Sequence, residues 1–399
     1  MPDQGQTREG TPGRPAAAGS GGILVCNAGS SSLKLSLFTR DLDRAAGAAV
    51  SEIGAQARLD SGAGARPIKA PDHGAALDAA LGALRADGLE VEALRAVGHR
   101  LVHGGARFAE AVRLDEALRE EVGSCAQLAP LHNPPALRVI DALAGRYPGL
   151  VQTASFDTAF HATNDDLASR YALPETQATR GLRRYGFHGL SYAALTRTLP
   201  ALSGAPLPER LLAFHLGNGA SACAIRGGRS VATTMGYSPL DGLTMGTRPG
   251  SLDPEAVLTL AERLGVAQAR DLLNHEAGLK GLAGHSDMRW LLESDEPAAR
   301  FAVAHFCHWA VRHGGGLIAA MGGCDAIAFT GGIGERAAPV RAAIAQGYSW
   351  LGARLDVQAN ASGTTRIHDA RSSVALWIVP AREEEEIARD ALRLTAGDG

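Results

Sequence analysis

Asn27, Ser30, Ser32 and Lys34 fall within one short segment, ILVCNAGSSSLKLSLF, residues 23–38. Together they offer an amide carbonyl, two hydroxyls and an ammonium, a set suited to a phosphate that carries a divalent cation. The small residues between them leave backbone N–H groups free to converge on an anion. A plain hairpin with a serine-rich turn accounts for this segment equally well. A second set pairs imidazoles and guanidiniums with glycines: His99, Arg100 and His103 in VGHRLVHGG, Arg183, Arg184 and His188 in RRYGFHGLS, and Arg248 in DGLTMGTRPGSLDP. A lone loop arginine is ordinarily a surface charge. Three such loops, beside three glycine- or serine-rich turns, point instead to phosphoryl transfer. That chemistry needs cations and donors on the equatorial oxygens, a bridging metal and an aligned acceptor.

Asn27 ends an expected strand and the His99–His103 group follows another, whereas Arg248 falls in a loop bounded by Gly246 and Gly250. Residues 23–38 read as strand, turn and strand, with Leu33, Leu35 and Leu37 alternating with Lys34 and Ser36. LLAFHLGNGASACAIRGGRSVATT, from residue 211, repeats that plan: a buried strand, a turn at Gly217–Ser221, a returning strand, and a hairpin at Gly227-Gly228. The repetition suggests two similar halves, each opening with a β-meander. DAIAFTGGIGERAAPVRAAIAQ reads as a strand, a glycine loop (Gly331 to Gly334) and a helix, whose free N–H groups would face an anionic or polar ligand. It matches neither the P-loop nor the dinucleotide pattern. Helices are expected at 76–88, from Asn133 toward Pro148, and after Pro380, where a glutamate run opens the last one.

The chain has 399 residues, enough for two domains, and a net charge of −3, so no global basic field draws nucleic acid or anionic membrane. Five scattered cysteines form no C-x-x-C pair, which argues against a disulfide framework or structural zinc and for a cytoplasmic setting. No apolar run approaches a membrane span. Residues 1–20 read as a disordered tail without a signal-peptide core.

NAGSSSLK, HRLVHGG, APLHNPP, FDTAFH, RRYGFHG, HLGNGAS, GLTMGTRPGSLDP, FTGGIGE and a terminal P-x-x-EE segment occur in this order over residues 23–388. In this the chain resembles the acetate kinases. The resemblance implies an α/β fold of two ribonuclease-H-like (actin-like ATPase) domains, with mixed sheets flanked by helices around a central cleft. Domain I would hold residues 21–158 and 386–399, and domain II residues 159–385, with hinges near 158 and 385. It also implies a homodimer and the reaction of ATP with acetate to give ADP and acetyl phosphate, with Mg²⁺ or Mn²⁺ in its place.

Carried onto this sequence, the resemblance gives Asn27 and Glu383 to the metal, with Glu384 as the alternative within the EEEE run. Ser30, Ser32 and Lys34 would contact phosphate. Arg100 would hold the substrate carboxylate, and His188 and Arg248, aided by His132, the transferring phosphoryl group. His215, Leu216, Gly217, Asn218 and Gly219 would line the phosphate path. Asp287, Met288, Arg289 and Gly331, Gly332, Ile333, Gly334, Glu335 would hold the nucleoside. Val102, Leu131, Phe187 and Pro239 would form the pocket for the methyl group, although each alone fits core packing. Asp157 matches a catalytic position. A carboxylic acid substrate is already ionised at neutral pH, so Asp157 is expected to position Arg100 or metal-bound water, not to act as a base.

The sequence departs from the family pattern in places. The stretch before Asp287 is one residue shorter, Ala277 and Ala283 stand where serines are usual, Pro249 follows Arg248, and Arg336 follows GIGE. Two other readings stand beside the main one: a propionate or butyrate kinase on the same scaffold, and a chaperone-like ATPase. The second would not need Arg100 beside an apolar pocket.

Overall fold

The computed structural model describes residues 21–125 and 133–397. Its first sheet contains β1 (Ile23–Ala28), β2 (Leu33–Phe38), β3 (Arg44–Ser51), β4 (Arg58–Ser61), β5 (Gly64–Pro67), β6 (Ala96–Leu101), β7 (Val112–Arg113) and β8 (Gln152–Phe156), in the order β5-β4-β3-β2-β1-β6-β8-β7. The second contains β9 (Arg210–Leu216), β10 (Ala220–Arg226), β11 (Arg229–Thr233), β12 (Ala326–Thr330) and β13 (Ala375–Ile378), in the order β11-β10-β9-β12-β13.

One plan generates both sheets. β1, β2 and β3 form an antiparallel meander, and β6 and then β8 add parallel to β1. β9, β10 and β11 repeat the meander, and β12 and then β13 add in parallel. The repeat expected from the two β-turn-β segments is therefore present as a whole sheet topology, the mixed arrangement of a ribonuclease-H-like domain.

The central strands are buried on both faces, as strands with helical layers on either side must be. Leu24 and Cys26 join Leu77, Leu81, Leu84, Val139 and Leu143 in one cluster, fed by the helices His73–Ala86 and Asn133–Arg146. Ile23 and Val25 point the other way, against Ile387, Ala388 and Ala391 of the terminal helix Glu383–Leu394. The second sheet rests on the 25-residue helix Pro297–Met321, whose buried residues Ala299, Ala302, Phe306, Ala310, Leu317 and Met321 recur at helical spacing.

The helix Gly189–Ser203 joins the two halves. Its Leu190 packs with the first sheet's outer cluster, and Tyr192, Leu195 and Leu199 pack with Leu211 and Ala213 of β9. Arg197 on this helix pairs with the buried Glu386 of the terminal helix at 2.9 Å. Among the described residues no helix is long and apolar enough to cross a membrane.

Candidate active site

The parallel strands of both sheets end at one place, where open α/β sheets present their ligand sites. β1 brings Asn27 there and β6 brings Arg100, while Asp157 follows β8 directly. From the second sheet β9 brings His215, and β12 leads into the helix Gly331–Arg336.

Arg100 makes a forked contact with Asp157: Nε donates to Oδ1 at 3.0 Å and Nη2 to Oδ2 at 2.7 Å. Its remaining nitrogen, Nη1, lies 3.7 Å from Glu383 Oε2. Burial works against the guanidinium charge, but Asp157, Glu383 and Glu384 outweigh it and hold Arg100 above the ordinary arginine value. Burial, with Glu383 pushing the same way, raises the Asp157 carboxyl above the ordinary aspartate value, while Arg100 pulls it back. Arginine does not give up its proton, and two hydrogen bonds engage both carboxylate oxygens, so the pair is held as carboxylate and guanidinium.

Glu383 leads on to His215, with Oε1 3.7 Å from Nδ1. The His215 ring stacks on that of His188, centroids 4.1 Å apart. His188 stands at the start of the helix Gly189–Ser203 in a left-handed conformation, φ 60°, uncommon for a non-glycine residue. Its Nδ1 shares a hydrogen bond with Ser221 Oγ at 2.9 Å, and Tyr192 OH meets the same hydroxyl. A β carbon on Gly219 would lie 3.2 Å from His188 Nε2 and 3.9 Å from Arg248 Nη1. The glycine thus leaves open a space bounded by imidazole and guanidinium. Arg248 donates to the Pro239 carbonyl at 3.0 Å and forms no ion pair with any described residue. Burial lowers its pKa, the mark of a cation held without a counter-charge.

Burial drives His188 well below the ordinary histidine range, with His215, Arg100 and Arg248 adding to the effect. It likewise pushes His99, His103 and His161 down to about 4. These rings are neutral at pH 7 and titrate near 6.5 once unfolded. Below that value the unfolded chain takes up protons first, so the stability from neutral burial is complete above pH 6.5 and is lost as pH falls toward 4. Urea midpoints are expected to be level between pH 8 and 7 and to fall steadily from 6.5 to 5. A midpoint constant down to pH 5 would contradict this.

The EEEE run resolves into separate partners. Glu384 accepts from Lys34 Nζ at 2.7 Å and from Ser36 Oγ at 2.8 Å, whereas Glu383 faces Arg100 and His215. Asn27, Lys34, His215, Gly331, Gly332, Glu383 and Glu384 line one cavity of about 570 Å³. No cluster of three or more acidic, histidine or cysteine ligands occurs among the described residues. Asn27 and Glu383 instead supply two hard oxygen donors, which fits Mg²⁺, an ion that keeps waters and takes substrate phosphates as further ligands.

A second cavity, of about 500 Å³, adjoins at Gly332. Gly217, Asn218, Asp287, Met288, Arg289, Gly332, Ile333 and Arg336 line it. The segments expected around a nucleoside are thus gathered in space despite the irregular sequence before Asp287.

Four expected positions differ in place. Leu216 is buried in the second sheet's core and reaches neither cavity, because it is an inward position of β9. Glu335 turns to the chain instead, its Oε1 accepting from the Ala381 N–H at 3.0 Å, which pins the entry to the terminal helix. Ser30 and Ser32 are exposed on the turn between β1 and β2 and do not line the described cavities. His73, which composition did not single out, holds that turn through the Gly29 carbonyl at 2.8 Å. Phe187 is buried beside His103, Val102 packs against the same cluster, and Gly334 is buried behind the helix start. Leu131 and His132 lie outside the described residues.

Two sheets of one topology, with guanidiniums, imidazoles and a carboxylate gathered at their shared strand ends beside a second cavity, define a two-lobed α/β phosphotransferase. The Acetokinase family model matches residues 22–389, and the chain belongs to this family. It is 43% identical to the acetate kinase of Nitrobacter hamburgensis, over 93% of this chain and 96% of that one. It is 44% identical to the acetate kinase of Rhizobium meliloti, over 93% and 98%. The crystal structure of Porphyromonas gingivalis acetate kinase superposes with a TM-score of 0.86 at 33% identity, covering 94% of this chain and 99% of that one. A propionate kinase from Francisella tularensis superposes at 0.87 and 31% identity, covering 93% and 98%.

Proposed function

We propose that the chain is an acetate kinase, transferring the γ-phosphoryl group of ATP reversibly to acetate to give acetyl phosphate and ADP. The observation that carries this reading is that two half-buried guanidiniums, Arg100 at the end of β6 and Arg248 in a loop beyond β11, both bear on His188. Arg100 is oriented by Asp157, and Arg248 has no carboxylate partner among the described residues. In the proposed reaction an acetate oxygen forms the new P–O bond. The bond between the γ-phosphorus and the β–γ bridging oxygen breaks, and its electron pair leaves on ADP.

Arg100 holds the acetate carboxylate, a task suited to its planar fork. Acetate is ionised at neutral pH and needs no base, and Asp157, with both oxygens occupied, orients Arg100. Arg248 and the neutral His188 donate to the equatorial oxygens around the space left open at Gly219. Lys34, His215 and the turn Gly217–Gly219 attend the phosphates. The cavity around Asp287–Arg289 and Gly332–Ile333 takes the nucleoside. Asn27 and Glu383 would hold Mg²⁺, which would supply positive charge to offset that of the phosphates. Domain I comprises 21–158 and 386–399, and domain II comprises 159–385. The same reading makes the protein a cytoplasmic homodimer.

Val102, Phe187 and Pro239 bound the methyl pocket in this reading. One extra methylene in such a pocket discriminates by about 10- to 200-fold, so propionate is expected to be a poorer substrate within that range. A hydroxamate assay for acyl phosphate, with acetate, propionate and butyrate and with or without ATP and Mg²⁺, checks both points. No acetyl hydroxamate, or a higher efficiency with propionate, would overturn the assignment.

A further inference from the structure

The loop that carries Arg248 is closed at its neck. Ser251 N donates to the Gly242 carbonyl at 3.0 Å. Asp241 Oδ1 accepts from both sides of that neck, from Gly242 N at 2.8 Å and from Ser251 Oγ at 2.6 Å. Its other oxygen, Oδ2, takes Arg184 Nη1 at 2.9 Å.

Arg184 lies four residues before His188 and is itself fixed on several sides. Its Nη1 also donates to the Thr234 carbonyl at 3.1 Å, its backbone N–H donates to Ser169 O at 2.7 Å, and its guanidinium lies over the Tyr171 ring at 5.5 Å. Tyr171 OH accepts from Tyr237 N at 2.9 Å, and the Gly236 carbonyl receives Tyr185 N at 3.0 Å and Gly186 N at 3.3 Å. The pocket is filled: a β carbon on Gly236 would lie 2.7 Å from Asp241 and 3.2 Å from Arg184. Neither charged residue lines the two cavities described above; both open on a separate cavity of about 600 Å³.

Resting on the kinase reading, we infer that Arg184 and Asp241 are positioning residues of the transfer site. Their ion pair locks the left-handed segment carrying His188 to the loop carrying Pro239 and Arg248, so that imidazole and guanidinium keep their spacing across Gly219. The pair touches no substrate. Its loss therefore lowers transition-state stabilisation and spares ground-state binding.

The test compares wild type, Asp241→Asn, Arg184→Gln and the double variant by kcat and KM for ATP and acetate, with melting temperatures beside them. A displacement of about 1 Å costs on the order of 100-fold in rate. Each single variant is expected to lose about 10- to 100-fold in kcat, with both KM values within about threefold. The double variant should be no slower than the slower single, since both remove one interaction. Arg184→Lys, which keeps the charge without the fork, is the second probe and should fall between wild type and Arg184→Gln even if Asp241→Asn does not fold. A kcat within about twofold of wild type in folded variants, losses confined to KM, or fully additive losses would overturn the inference. A wild-type enzyme that makes no acyl phosphate would sink the underlying reading instead, so the two failures are distinguishable.

Discussion

Arg248→Gln is expected to lower kcat by about three orders of magnitude while the KM for ATP changes by no more than about threefold. The guanidinium is partly buried, donates to the Pro239 carbonyl and has no ion-pair partner among the described residues. Burying an uncompensated cation is costly, and burial lowers its pKa accordingly. Such a charge is best compensated when negative charge passes in front of it. An arginine placed on a transferring phosphoryl group contributes about 10³ to 10⁵ in rate. Glutamine keeps a donor for Pro239 but no charge, so the loss should appear in turnover. Steady-state kinetics of the folded variant measures it. A tenfold rise in KM with unchanged kcat would place Arg248 on the ground-state phosphates instead.

Asp157→Asn is expected to reduce activity by about 100-fold or more, equally at pH 6 and pH 8. The carboxylate is buried, with both oxygens bound to Arg100 at 3.0 and 2.7 Å. Removing one partner of a buried pair costs about 3 to 5 kcal/mol and releases the other to alternative partners. Here Glu383, 3.7 Å from Arg100 Nη1, is the nearest carboxylate. Arg100 would turn toward it and misalign acetate, so the KM for acetate should rise along with the fall in kcat. A base role would give a different signature, with the loss deepening as pH falls below 6 toward the acceptor's own pKa, about 4.3 for such a carboxyl, where protonated acid accumulates. Such deepening would refute the positioning role.

The sequence and the structure agree where local pattern decides the outcome. Alternation along residues 23–38 and 211–233 was enough to read the meanders, and their likeness anticipated two sheets of one topology. Arg100, His188 and Arg248 were legible because a cation or imidazole set among glycines is conspicuous, whereas His215 came only with the family resemblance. Other features depend on distances along the chain that periodicity does not encode. The glycine loop at 331–334 is the first turn of a helix: Gly331 takes φ +78° to make the turn, and the next glycines follow helical geometry. Leu216 and Glu335 stand inside matching motifs yet face the core and the Ala381 backbone, since a motif fixes neighbours in sequence but not which face each presents. Four consecutive glutamates differ only in their angle around a helix, so Glu383 and Glu384 are told apart by Arg100 and Lys34 alone. The Arg184–Asp241 tie joins residues 57 apart, a separation that no local pattern encodes.

The central claim is that positive groups from both lobes meet around one phosphoryl group with acetate aligned behind it. The most direct measurement is a crystal structure with ADP, Mg²⁺, acetate and a planar fluoride mimic of the transferring group. The expected result has Arg100 forked on the acetate carboxylate and Arg248 with His188 within hydrogen-bond distance of the mimic's equatorial atoms. Acetate bound away from Arg100, or Arg248 and His188 directed to separate surfaces, would contradict the account.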